Sequence, residues 1–319
     1  MSGTQLHSQV VIVGAGLAGL ACAKQLTERG LSVLILDKAR GPGGRVSSKR
    51  TEDHSVDLGA QFFTVRTPEF RAQVDQWTSQ RQVSAWAPRM ALAAPNTYSD
   101  SPDRHTRYVG SPKMGAIGHA AAEGLNIRPQ SRVIEVSDNL VLENGETVSY
   151  EQLVLACPAD QTAQLIDIEL PAQAPCWSAW VDIDAEQPFD AAFVKDSPIG
   201  WVANDSSKPG RKSRQRWVMQ ATRDWSQACL EESPEWAMRE MQQALHEILP
   251  NAFQVTQGAI HRWRYARPWP NDEAMATSSI QFSERIWVCG DYLNGGRVEG
   301  AWQSGYQTGS RILATLGQR

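Results

Sequence analysis

Gly14, Gly16 and Gly19 are spaced G-x-G-x-x-G, and the apolar run that follows them ends on Asp37. Those residue types can bind a dinucleotide. The first glycine permits a tight turn, the second lets the backbone approach a pyrophosphate, and the third lets a helix pack closely on a strand. A carboxylate further on can accept both hydroxyls of a ribose. The elements that must position them are legible around them. Val10 to Val13 is an unbroken β-branched run, as expected for a strand buried on both faces of a parallel sheet. A helix is predicted from about Leu17 to Arg29, stopped by Gly30 in a position suited to left-handed backbone. Leu17 and Ala18, with Gly16, begin that helix, so their free N–H groups and its positive dipole would face the phosphates. Leu31 to Leu36 is the second strand, delivering Asp37. NAD and FAD are both open at this point.

Two further segments carry compatible chemistry. Lys38-Ala39-Arg40-Gly41-Pro42-Gly43-Gly44-Arg45 is a glycine-dense loop directly after the acid. It is either a flexible surface loop or a second phosphate contact, with Arg45 as a charge-assisted donor. Val56 to Thr64, including Gly59, Ala60 and Gln61, reads as a short strand crossing the cofactor, because a strand glycine often marks close approach of a ligand or backbone. Near the other end, Ile286 to Asp291 reads as a strand closing on Gly-Asp, and Gly295 to Gly305 opens a last helix through Val298, Glu299, Gly300 and Ala301. The N-terminus of such a helix stabilises negative charge.

With 319 residues, the chain suits two domains or one with an inserted subdomain. Its 41% hydrophobic and 21% charged residues describe an ordinary soluble globular protein. A net charge of −4 argues against a nucleic acid or an anionic membrane as main partner. No apolar run approaches the ~18–20 residues of a membrane span. Five scattered cysteines without a C-x-x-C pair read as buried free thiols in a reducing cytoplasm rather than disulfides or a metal site. Twelve tryptophans, many beyond residue 176, suggest core packing with an aromatic-lined cavity among them.

Between the two cofactor segments, a helix is predicted from Pro68 to Gln80, then a polar Pro-rich passage around residues 95–102 and a short strand at Arg107-Tyr108-Val109-Gly110. Gly115 to Glu123 reads as a helix, and Ser131 to Val136 and Gln152 to Ala156 as strands. Asn144-Gly145 is a hairpin turn signal. Strands are expected around 177–183, 191–194, 200–203 and 216–221. A helix is predicted from Pro234 to Leu249, with Ser233 as its N-cap and Pro250 as its stop. The basic loop Arg211 to Arg216 reads as a solvated hairpin tip. Residues 1–66, 104–160 and 286–319 are assigned to a discontinuous cofactor domain, and 67–103 and 161–285 to a substrate domain.

GAGLAG, DKARGPGGR and DLGAQFF together resemble the flavin-containing amine oxidase superfamily. The resemblance implies FAD, held in an α/β, Rossmann-like (GR2-type) domain with an inserted α+β substrate domain, as in the amine oxidase/p-hydroxybenzoate hydroxylase-like fold. It also implies that Val133 contacts the adenine and that Asp291 holds the ribityl chain or a phosphate-bridging water. DKARGPGGRVSSKR, DLGAQFFTVR, RYVGSPKM, HRWRYARP and CGDYLNGGRVEGAWQSG resemble, more narrowly, bacterial renalase-like proteins. That implies a cytoplasmic oxidase whose partners are small molecules: a misreduced 1,2- or 1,6-dihydro-NAD(P) as substrate and O₂ as acceptor. Substrate contacts implied by the resemblance are Phe62, Phe63, Thr64, Val65, Arg66, Arg107, Tyr108 and Val109, with Arg66 and Arg107 toward phosphates or carboxamide. Trp201, Trp217, His261 and Trp263 are further cavity-wall candidates; His261 alternatively has a structural role. Hydride loss from a dihydropyridine restores an aromatic ring, so no catalytic residue and no metal are required. The alternatives are an amine oxidase, a desaturase or protoporphyrinogen-type oxidase, and a non-enzymatic flavin redox sensor. Tyr292 to Arg297 offers no aromatic pair to cage an amine and no cysteine for covalent flavin attachment. The oligomeric state is left open.

Overall fold

The structure is a computed structural model describing residues 6–52, 54–211, 215–269 and 277–317. It is an α/β fold built on two large sheets. In the first, Leu6–Val13 lies between Val33–Leu36 and Thr147–Leu155, parallel to both. Ile127–Arg128 extends one side, and Ile286–Cys289 runs parallel to the far half of Thr147–Leu155. The order of connection therefore reverses at the first strand, and in open parallel sheets ligands sit at such a switch point, beyond the strands' carboxyl ends. Gly14, Asp37, Ala156 and Gly290 are the residues that leave those ends. The strands carry the apolar core expected of sheets covered on both faces, with Val10, Val11 and Ile12 fully buried.

The second sheet orders its strands Val255–Pro268, Gln173–Ile183, Gln215–Ala221, Ile199–Asn204, Ala191–Val194, Met90–Ala94 and Thr97–Asp100. Side chains alternate between its faces. Trp177, Ala179 and Val181 pack with Trp217, Met219 and the helix Pro234–Ile248, through Ala237, Met241, Ala244, Leu245 and Ile248. The opposite face presents Trp180 and Val218 to Val56 and Leu58, and Trp201 and Ala203 to Phe62. Cross-strand partners share a face, so His261 opposite Ser178 and Trp263 opposite Cys176 also belong to the face turned toward the 55–64 segment.

Several expected elements are present with small end shifts. The helix over 68–80 is Pro68–Ser79, and Ser233 does cap its helix, accepting from Trp236 N at 3.2 Å. Others differ. The polar passage near 95–102 contains a strand, Thr97–Asp100, paired antiparallel with Met90–Ala94. The strand expected from Val56 to Thr64 is confined to Ser55–Val56, followed by irregular backbone and a single bridge from Phe63 to Tyr108. The basic loop is no solvated tip at its ends: Arg211 and Arg216 are buried and paired with Asp57 and Asp182. Lys212 to Arg214 lie outside the described residues. Among the described residues no helix is long and apolar enough to cross a membrane.

Candidate active site

The candidate dinucleotide site begins at the glycine turn. Gly14 has φ +111°, and a Cβ there would meet the Ala156 carbonyl oxygen at 2.8 Å. A Cβ on Gly16, by contrast, would meet nothing within 4 Å, so the space over this residue is open. Helix Leu17–Thr27, with Ala18 and Gly19 buried in its first turn, has no side-chain cap and no acid in that turn, leaving its first N–H groups and dipole available to an anion. The second glycine loop lies against the first: Gly43 N donates to Ala15 O at 2.8 Å, and Gly43 bridges to Gly16. Gly44 and Lys38 are exposed at the rim. The Asp37 carboxylate accepts from Ala15 N at 2.5 Å and Ala39 N at 2.6 Å, which fixes it beside the turn.

Arg45 crosses to the other end of the chain. Its guanidinium donates to both oxygens of Asp291, at 2.9 and 2.5 Å, and to Ala266 O at 2.9 Å. Asp291 is only 5% exposed, so both its oxygens are occupied by a protein cation. Ala60 N donates to the Arg45 carbonyl at 2.9 Å, and a Cβ on Gly59 would collide with that same carbonyl. The close approach marked by Gly59 is thus made by backbone. Gln61 is buried, its amide donating to Asp57 O and accepting from Lys208 Nζ at 3.2 Å. Val133 opens its strand opposite Leu142. Val298, Gly300 and Ala301 begin the last helix, whose N-cap Arg297 supplies no side-chain bond. The Glu299 side chain is buried and accepts from Arg66 N, Thr67 N and Thr67 Oγ1.

Beyond Gln61 and Phe62 opens a cavity of about 660 Å³, also lined by Phe193, Trp201, Gln220, Thr222, Arg223, Asp224, Arg267 and Trp269. The Phe62 ring stands 5.2 Å from Trp201, and Trp201 meets Phe193 edge-on at 4.9 Å. Of the twelve residues expected at the substrate or the cavity wall, Phe62 and Trp201 line this cavity. Arg107 is 5.2 Å from the Phe62 ring centre, but its guanidinium is buried and paired with Asp103 at 2.5 Å. Phe63 and Val65 pack into a cluster with Phe70 and Trp302, Tyr108 stacks on Phe63, and Val109 is fully buried beside Trp86. Thr64 is half-buried, and Arg66 is exposed. His261 sits edge-on to Trp263 at 4.5 Å; partial burial and the nearby Lys49 lower its pKa below 6.5. Trp263 donates to Leu58 O at 3.1 Å. Trp217 is fully buried on the helix side of its sheet, against Phe189, because its parity is opposite to that of Trp201. Phe193, Arg223, Arg267 and Trp269 were not read as site residues from sequence. Arg267 lies inside HRWRYARP, and next to Ala266, whose carbonyl takes Arg45.

Residues 86–313 match the model of the flavin containing amine oxidoreductase family, and residues 12–77 match an NAD(P)-binding Rossmann-like domain. The chain belongs to the flavin containing amine oxidoreductases. Within the family, putrescine oxidase from Kocuria rosea is 30% identical over 146 residues, 46% of this chain and 28% of that enzyme. Hydroxyneurosporene desaturase from Rubrivivax gelatinosus is 47% identical over 58 residues, 18% of this chain and 11% of the desaturase. The chain thus spans less than a third of the length of these curated relatives. A solved Exiguobacterium sp. 255-15 protein, provisionally assigned as a protoporphyrinogen oxidase, superposes with TM-score 0.78 over 98% of this chain and 99% of its own, at 12% identity. Wild-type putrescine oxidase solved with putrescine superposes at 0.68, over 97% and 100%, at 13% identity. Family membership makes the cofactor FAD, and the cleft fits it: open space over Gly16, two helix starts without side-chain caps and a fixed carboxylate at Asp37.

Proposed function

We propose that this flavoenzyme oxidises misreduced dihydronicotinamide dinucleotides, the 1,2- or 1,6-dihydro isomers of NAD(P), releasing NAD(P)⁺ and, with O₂, H₂O₂. The supporting observation is the cavity beside Gln61 and Phe62: four of its lining residues, Phe62, Phe193, Trp201 and Trp269, carry flat rings, and its two arginines, Arg223 and Arg267, outnumber its single carboxylate, the exposed Asp224, and hold a buried Nε without a hydrogen-bond partner. A planar, anionic substrate suits that lining. Alignment with putrescine oxidase supports a second reading, oxidation of an amine, but two guanidinium groups oppose a cation in the same space.

In this reading the FAD would be held by Gly14, Gly16, Leu17, Ala18 and Gly19 at its phosphates and by Asp37 and Lys38 at its adenosine end. Gly44, Arg45, Ala60, Gln61, Val133, Asp291, Val298, Gly300 and Ala301, with the backbone of Glu299, would complete the site. Bound there, FAD would supply the hydride acceptor and the route for electrons to O₂. The protein needs no base, because loss of hydride leaves an aromatic pyridinium. Its work is to hold the ring flat against the wall that Phe62 and Trp201 form, keep water out, and fix near-attack geometry. Segments 67–103 and 161–285 form the substrate domain in this scheme, and 1–66, 104–160 and 286–319 the cofactor domain.

The test is anaerobic stopped-flow mixing of the yellow holoenzyme with each compound. The 1,2- or 1,6-dihydro isomers should bleach the flavin at least ~100-fold faster than ordinary NAD(P)H. Fast bleaching by monoamines or putrescine, with no response to the isomers, selects the amine reading. No bleaching by either supports a non-enzymatic flavoprotein.

A further inference from the structure

We infer that Arg223 and Arg267 form an anion subsite that takes the phosphate groups of the substrate and makes the enzyme select a phosphorylated dinucleotide over its nucleoside. This rests on the dihydronicotinamide reading and assigns the part of that substrate which the cavity's far side would hold.

The two residues reach the cavity from separate elements. Arg267 is the penultimate residue of the long strand Val255–Pro268, and Arg223 opens the short helix Arg223–Ala228 after Thr222. Both line the same cavity as Gln61 and Phe62. Each has its Nε buried without a hydrogen-bond partner, and neither forms an ion pair among the described residues. Arg107 shares the unpartnered Nε, but it grips a carboxylate, as do Arg45, Arg211 and Arg216. The remaining charge in the lining, Asp224, is exposed and bonded to neither.

Two guanidinium groups lining one cavity repel each other, and burial costs them hydration. Burial, then the charge of Arg267, lowers the proton affinity of Arg223, and the exposed Asp224 only partly offsets this. An oxyanion between them removes both costs, and the planar fork of arginine matches phosphate or carboxylate oxygens in pairs. A dinucleotide carries such oxyanions at a distance from its nicotinamide, while a nucleoside carries none. The aromatic wall would then hold the ring, and the arginine pair the pyrophosphate.

The experiment uses FAD-loaded protein and two substrates with the same misreduced ring, the dihydro-NAD isomer and the corresponding dihydronicotinamide riboside. R223Q and R267Q should each weaken the dissociation constant for the dinucleotide by about tenfold or more. The riboside's dissociation constant and limiting reduction rate should stay within about twofold. R223K and R267K, which keep charge but lose the fork, should fall between, and they serve if a glutamine variant fails to retain flavin. Inorganic pyrophosphate, titrated calorimetrically into the holoenzyme, should bind the native protein and bind each glutamine variant ~10-fold more weakly. Equal weakening of riboside and dinucleotide, or the same pyrophosphate affinity in native and variant proteins, overturns the subsite. If neither substrate reduces the native flavin, the functional reading falls, while the pyrophosphate titration still decides whether the arginines bind an anion.

Discussion

Arg45 is the side chain through which the two ends of the chain meet. Its bidentate grip on Asp291 joins the glycine loop after the second strand to the Gly-Asp turn before the last helix, and its third bond fixes the end of the long strand at Ala266. A charge-assisted pair with one partner this well buried is worth most as a positioning device, since removing the cation leaves Asp291 without compensation. R45M is therefore expected to lower FAD affinity by roughly a hundredfold, about 2.7 kcal/mol. R45K should lie between, keeping charge but losing the second bond. Titrating apoprotein with FAD and reading flavin fluorescence checks this; native-like affinity in R45M would show that the pair holds the fold and not the cofactor. The arginine itself was legible from its glycine neighbours. That its partner would be Asp291 was not, because nothing local distinguishes a carboxylate waiting for a ligand from one waiting for an arginine 246 residues away.

At the scale of elements, the last helix holds the start of another. Glu299, in its first turn, caps a different helix, Pro68–Ser79, by accepting from Arg66 N, Thr67 N and Thr67 Oγ1 at 2.8–3.1 Å. Thr67, the N-cap of that helix, makes no capping bond with its own side chain, and Gln303 adds a bond to its hydroxyl at 2.8 Å. This cap anchors the segment that runs on from Phe62 into the cavity wall. E299A leaves two backbone donors without their acceptor at a part-buried place and should cost about 1 kcal/mol, read as a lower urea midpoint at unchanged slope. E299Q, which keeps an acceptor, should lose less. If E299A unfolds at the native midpoint, water caps the helix and the anchoring role is void. Helices were legible where their signals were local, as with Ser233, Pro234 and Pro250 bounding Pro234–Ile248. The 55–64 segment was not, because its shape follows from contacts with Arg45, Gln220 and Tyr108 rather than from its own alternation.

Across the whole molecule, four buried charges tie the two sheets together. Asp57, from the segment leading to Gln61, meets Lys208 at 3.5 Å and Arg211, while Asp205 meets Lys208 at 2.6 Å. Both carboxylates and the lysine are at most 1% exposed. In sequence, Lys208 and Arg211 stand in a polar, basic stretch with every mark of a surface loop; their partner Asp57 lies 154 residues before Arg211. Charge pattern alone cannot reveal such a pairing, whereas the dinucleotide motif is complete within one βαβ unit. The two acids differ in a way that can be measured. Burial pushes Asp57 up, but Lys208, Arg211 and the Ser48 hydroxyl more than offset it, holding its pKa below 3.8. Burial dominates at Asp205, whose pKa rises above 3.8 despite Lys208. Ionised Asp57 therefore contributes stability that is present above the ordinary carboxylate pKa and lost as pH falls through its lower folded value. Ionised Asp205 does the opposite, removing stability as pH rises above 3.8. D57N should then cost about 3 kcal/mol at pH 7, with the deficit shrinking as the pH is taken down through ~4 and below. D205N should cost less than half as much, and its deficit should narrow as pH rises from ~4 to 7. Urea titrations of both variants across that range decide it: equal deficits at pH 7 that ignore pH would mean the four charges act only as hydrogen-bonding shapes, not as a paired set.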